Sequence, residues 1–180
     1  MHNLILIRHE VSTGNLTHTF SGKEVKLSTL GKMRTKKTRE NFLKLKLDNP
    51  IFLASEYQRA IETAKYTLKR EQFLKLKITP VVNEVDFGEL VGRTFKENLE
   101  VYKEGLNDWL KNPDKVAPPG GESTMNAMKR AKKLVAFAKK YDGDVVVFSH
   151  EGFIQCVLGA KHKNRKYRRI KNGEIVGIDI

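Results

Sequence analysis

The sequence predicts an α/β protein: a three-layer α/β/α sandwich around a mostly parallel central sheet. Two short runs, Leu4-Ile5-Leu6-Ile7 and Val145-Val146-Val147-Phe148, have the composition of strands buried on both faces, the kind that parallel sheets require. Segments of helical spacing alternate with such runs, and strand–helix–strand–helix order implies right-handed crossovers. Both runs also end in a histidine followed by a polar loop, His9 and His150. Ligands of open α/β sheets bind beyond the carboxyl ends of the strands, where neighbouring parallel strands would set the two imidazoles side by side.

Taken in order, the first strand leads through Arg8 and His9 into a polar loop, and Phe20-Ser21-Gly22 reads as a turn. Ser28 is a good N-cap for a helix carrying Leu30, Met33, Lys37 and Phe42 down one side, stopped by Asn49-Pro50. Ile51-Phe52-Leu53-Ala54 is a second short strand with Ser55 in its exit loop. A helix opening at Arg59 then turns Ile61, Ala64 and Leu68 inward. Residues 76–82 suggest a third strand, interrupted by Pro80 and so placed at an edge or ended there. After the loop 83–93, Thr94 can cap a helix whose side carries Phe95, Leu99, Tyr102, Leu106 and Trp109, closed by Pro113. The rigid turn 118–123 feeds a helix through Met125, Met128, Leu134, Val135 and Ala138, and Asp142-Gly143 leads into the fourth strand. At the tail, residues 167–171, the Asn172-Gly173 turn and residues 174–180 read as a hairpin.

A length of 180 residues without repeats, linkers or low-complexity tracts suggests one domain, 1–180. The single cysteine, Cys156, excludes an intramolecular disulfide and a thiolate metal site, and its apolar neighbours place it in the core. No span is apolar enough to cross a bilayer, and the first apolar run is too short for a signal peptide, so a cytoplasmic protein without a membrane partner is expected. The net charge of +13 predicts attraction to anions: nucleic acid, acidic membrane or phosphorylated small molecules. Lysines spread over many helices read as a solvated surface. The stretch 161–171 is the exception and could line an anion groove. With Tyr167 as its only aromatic, it lacks the interleaved rings of a single-strand binder, so no specific nucleic-acid partner is expected.

Two histidines and two arginines at the mouth of a basic α/β fold suit a phosphate monoester. Phosphoryl transfer asks a protein for a positioned nucleophile, charge on the non-bridging oxygens and a proton for the leaving group. Arg8 and Arg59 are forked donors matched to phosphate, and a cation at a helix start, as at Arg59, is unfavourable without a functional reason. His9 could attack phosphorus as a neutral imidazole, and His150 could hold the phosphoryl oxygens. Residues 4–15 alone would equally allow Arg8 in a surface loop and a structural His9; the second strand–histidine pair shifts the balance. Glu10, Asp86 and Glu89 are scattered without ligand spacing, so no metal and no cofactor are expected. Taken alone, Glu84 reads as a surface carboxylate and Asn15 as a turn residue or cap. His2, His18 and His162 are assigned no role.

These residues match a family pattern. Arg8-His9 followed by Asn15, Phe20-Ser21-Gly22 with Leu27-Ser28-Thr29-Leu30-Gly31, and Ser55-Glu56-Tyr57-Gln58-Arg59-Ala60-Ile61-Glu62-Thr63-Ala64 come in order. Asn83-Glu84-Val85-Asp86-Phe87-Gly88, Gly120-Gly121-Glu122-Ser123 and Ser149-His150 follow. Along nearly its whole length the chain resembles the histidine phosphatase superfamily, the phosphoglycerate-mutase-like enzymes, nearest in style to short α-ribazole and broad-specificity phosphatases. The resemblance implies a metal-independent phosphomonoesterase acting on a small phosphorylated metabolite. It makes His9 the residue that becomes phosphorylated, Glu84 the proton donor, Arg8, Asn15, Arg59 and His150 the phosphate ligands, and Ser21 and Gly22 part of the substrate loop. Two positions depart from the pattern: Glu10 follows the first histidine where glycine is usual, and Glu151 follows the second. Both are expected to point to solvent and leave catalysis untouched. Mutase-type transfer, a weak member that only binds phosphorylated ligands, and a nucleic-acid binder are the competing readings.

Overall fold

The two aliphatic runs sit where their composition puts them, in the middle of one five-stranded sheet. The computed structural model describes residues 2–161 and 168–180. Strands β1 (Asn3–Arg8), β2 (Ile51–Ala54), β3 (Lys77–Ile78), β4 (Val145–Ser149) and β5 (Ile175–Asp179) lie in the order β3-β2-β4-β1-β5, all parallel except β5. Period-two alternation divides the central strands between two cores. Leu4, Leu6, Val145 and Val147 pack on one face against α7 (Thr124–Lys140) and α8 (Glu151–Lys161). Ile5, Ile7, Val146 and Phe148 pack on the other with Phe42 of α2 (Thr29–Phe42) and Ala64 of α3 (Gln58–Thr67). This is the expected three-layer sandwich. Pairing of Ile7 with Phe148 and of Arg8 with Ser149 sets the next residues, His9 and His150, at the same edge of the sheet.

Local signals mark several helix starts. The Ser28 hydroxyl accepts from the Gly31 amide at 3.0 Å, Thr94 forms a capping box with Glu97 ahead of α5 (Phe95–Val101), and Ser123 caps α7. Short helices α1 (Thr13–Thr17) and α4 (Arg70–Phe73) complete the loops after β1 and α3.

Four expectations need correction. The buried face of α2 is Gly31, Thr35, Thr38 and Phe42, while Leu30 and Met33 are 47% and 70% exposed. This helix packs by close approach rather than by bulky knobs: a Cβ on Gly31 would stand 2.0 Å from the carbonyl oxygen of Val11. The third strand lies at the sheet edge and ends before Pro80, as expected, but it is only two residues long, because Pro80 and the Thr79 hydroxyl start a 3₁₀ turn over Pro80–Val82. The long helix after Thr94 is two helices, α5 and α6 (Lys103–Lys111), broken at Tyr102. Phe95 and Leu106 would share one side of a straight helix at 3.6 residues per turn. The break buries Leu106 and leaves Phe95 at a cavity mouth. Finally, the tail is no hairpin. The turn at Asn172-Gly173 forms, but β5 pairs antiparallel with β1, and residues 168–171 are not a strand. The remainder of the basic stretch, 162–167, lies outside the described residues.

Candidate active site

Beyond the carboxyl ends of β1 and β4 lies a cavity of about 240 Å³, lined by Arg8, His9, Asn15, Ser21, Arg59 and Glu84 together with aromatic residues. His9 leaves β1 with its amide bonded to the Ser149 carbonyl at 2.9 Å, and its side chain is buried. Its Nδ1 lies 2.7 Å from the Glu10 carbonyl oxygen, which only accepts, so Nδ1 carries the proton and Nε2 the lone pair. Arg59 Nε donates to that Nε2 at 3.2 Å. Burial pushes the His9 pKa well below its usual value, and the Arg59 and Arg8 charges push it further, against the opposing bond to Glu10. The result is a neutral imidazole with a directed lone pair among cations.

His150 stands beside it, with ring centroids 5.1 Å apart. A chain of hydrogen bonds fixes its tautomer. The Asn83 amide nitrogen donates to the Glu56 carboxylate at 2.8 Å, so Asn83 Oδ1 faces and accepts from the Ser55 hydroxyl at 3.0 Å. Ser55 has spent its proton and can only accept at the 2.8 Å contact with His150 Nε2. Nε2 therefore donates, and Nδ1, without a hydrogen-bond partner among the described residues, holds the lone pair. Burial foremost, then Arg59 and His9, lowers this pKa as well. His150 is completely buried and sits behind the cavity wall rather than on it.

Arg59, on the first turn of α3, is buried and pushed down to about 10 chiefly by desolvation. Its Nη1 donates to the Gly22 carbonyl at 2.7 Å and its Nη2 to that of Ser21 at 3.4 Å, so the 20–22 loop orients the guanidinium. Gly22 does this with its backbone and does not line the cavity, whereas Ser21 does. The Asn15 side-chain oxygen Oδ1 closes a capping box on Ser12 and accepts from Asn172, which leaves the side-chain Nδ2 for the cavity. Glu84 lies at the N-terminus of α8, where its carboxylate accepts from the Phe153 amide at 2.9 Å and from Gly152 at 3.3 Å. Desolvation nevertheless raises its pKa, outweighing those bonds and Arg59.

Neither departing glutamate points to solvent. Glu10 is buried on the side away from the cavity, accepting from the Thr38 hydroxyl at 2.7 Å. Glu151 pairs with Arg8 Nη1 at 2.7 Å and accepts from the Ile170 amide. Several supporting residues escaped the sequence reading. Asn172 donates to the His9 carbonyl and to Asn15, and Arg130 binds Glu122 while donating to the carbonyls of Val81, Asn83 and Glu84. His18, assigned no role, stands at the cavity rim with positive φ. Only the Asn172-Gly173 turn and the helix-start Glu122 gave any local hint of these roles. Among the described residues no three His, Cys, Asp or Glu side chains cluster to hold a metal, and no helix is long and apolar enough to cross a membrane.

An imidazole lone pair flanked by buried guanidinium groups stands at the carboxyl edge of an α/β sheet, an arrangement whose charge and geometry suit a phosphoryl group. Residues 4–179 match the family described as histidine phosphatase superfamily (branch 1), and the chain belongs to that family of phosphatase enzymes. It is 29% identical over 160 residues to the acid phosphatase of Mycobacterium tuberculosis, spanning 87% of this chain and 74% of that protein. It is 29% identical over 153 residues to phosphoserine phosphatase 1 of Hydrogenobacter thermophilus, spanning 83% and 71%. In fold it resembles the α-ribazole phosphatase of Shigella flexneri, with a TM-score of 0.85 at 23% identity over 99% of this chain and 90% of that one.

Proposed function

We propose that this chain is a metal-independent phosphomonoesterase working through a phosphohistidine on His9. The observation that carries the reading is the His9 environment: Nδ1 tied to the Glu10 carbonyl, Nε2 unprotonated and aimed at Arg59. A phosphate ester entering the cavity displaces the Arg59–His9 contact and takes the guanidinium for its own oxygens. His9 Nε2 then forms the new bond to phosphorus as the P–O bond to the alcohol breaks. Arg8 and Arg59 neutralise the non-bridging oxygens and the Asn15 amide donates to them; His150, whose Nδ1 holds a lone pair in the empty site, adds a donor only once that nitrogen takes a proton. Protonated Glu84 gives its proton to the departing alkoxide; as a carboxylate it then takes one from water, which attacks phosphorus and frees His9. The two arginines supply the positive charge, so no step requires a metal.

Hydrolysis of p-nitrophenyl phosphate by the purified chain, with and without excess chelator, tests this. Equal turnover in both, and a loss of at least about 1,000-fold in His9→Asn, is expected. Turnover that vanishes with chelator, or persists in His9→Asn, contradicts it. A weak, mainly binding member is the second reading, favoured by one observation: Glu151 places a carboxylate on Arg8.

A further inference from the structure

Beside its candidate phosphate ligands the cavity carries an aromatic lining. Phe20, Phe87 and Phe95 line it. The Phe20 and Phe87 rings stand edge to face at 5.0 Å, and Trp109 braces both from behind at 6.4 and 6.2 Å. Phe95 is 46% exposed, held at the mouth by the Thr94 capping box and by the bridge between Thr19 and Thr94. Charge is sparse beyond those ligands. Of the 34 lysines and arginines in the chain, only Arg8 and Arg59 line the cavity among the described residues, and both are candidate phosphate ligands. Among the described residues Glu84 is the one carboxylate on the lining, and His9 and His18 are the two imidazoles. Among the described residues, a carboxylate on the leaving group would find no lysine or arginine of its own, and would be desolvated without that compensation. An aromatic or flat apolar group would find three rings, with edge-to-face geometry available.

We propose that the preferred substrates are phosphate esters of uncharged alcohols bearing a flat apolar or aromatic group, which packs against Phe87 and Phe95. This rests on the phosphomonoesterase reading and adds the leaving group to it. Esters of charged alcohols, such as phosphoserine and 3-phosphoglycerate, are poor substrates by the same reasoning. The chain's large positive charge steers phosphate esters toward it without selecting among them.

Values of kcat/KM for 2-phenylethyl phosphate, propyl phosphate, O-phosphoserine and 3-phosphoglycerate, all leaving from saturated carbon, test the assignment. We expect the phenylethyl ester to exceed the propyl ester by about tenfold and the two charged esters by about 100-fold. Phe95→Ala, at an exposed position that tolerates truncation, should shrink the phenylethyl-to-propyl ratio to within about threefold, mainly through KM. A charged ester preferred over the phenylethyl ester, or a ratio unmoved by both Phe95→Ala and Phe87→Ala, overturns the assignment while leaving the phosphatase reading intact. No turnover of any ester, with p-nitrophenyl phosphate also inert, overturns the phosphatase reading and this one with it.

Discussion

Arg8 meets Glu151 at 2.7 Å, so a phosphate in the cavity would compete with this carboxylate for the guanidinium. Glu151→Gln leaves the arginine less compensated, at a cost of about 1–3 kcal/mol to the empty protein. A bound phosphate then supplies the missing charge. The variant should melt lower than the parent in phosphate-free buffer, gain more from added inorganic phosphate, and be inhibited by it at lower concentration. Unchanged phosphate inhibition would show that Glu151 does not tune the site. The pH profile follows from His9 and Glu84. His9 must be neutral to attack, and its depressed pKa keeps it so below 6.5, where an ordinary histidine is protonated. Glu84 must be protonated to donate, and its raised pKa extends that state above 4.5. Measured kcat/KM for an alkyl phosphate should therefore rise with pH through the depressed His9 pKa and fall through the raised Glu84 pKa. In Glu84→Gln the rate should drop by about 100-fold or more and the alkaline limb should vanish. An unchanged alkaline limb in that variant would remove Glu84 from the proton-transfer role.

At the level of elements, α8 both follows His150 and holds Glu84, since the acid accepts from amides at its N-terminus. A Cβ on Gly152 would stand 2.6 Å from Glu84 Oε1. Gly152→Ala should thus push the acid aside, lowering kcat on alkyl phosphates about tenfold or more while sparing p-nitrophenyl phosphate, whose leaving group needs no proton. Equal losses on both substrates would mean that the change acts on the fold instead. What the sequence could reveal here was local. Ser28 and Thr94 announce their helices because a cap acts within three residues. The α2 face was misread because Gly31 and two threonines, not its leucine and methionine, carry the contact. Tyr102 offers no glycine or proline to signal its break, which is set by where Phe95 and Leu106 must face.

Across the whole molecule, the chemistry was legible wherever a residue type and a strand end coincided, as at Arg8, His9 and His150. It was hidden wherever a contact spans most of the chain: Asn172 reaches His9 and Asn15 from more than 150 residues away, and Arg130 reaches the 81–84 loop from about 50. The net charge of +13 likewise comes from basic residues spread along the chain and not from one motif. Binding to duplex DNA should be without sequence preference and fall by at least about tenfold between 50 and 200 mM salt. Salt-resistant binding would instead mark a dedicated nucleic-acid site. The account as a whole turns on a covalent intermediate. Mixing the protein with a ³²P-labelled phosphate monoester, quenching in alkali and mapping the label tests it most directly. Label on His9, absent in His9→Asn, is the predicted result; label on another residue, or steady turnover with none trapped on the protein, would contradict it.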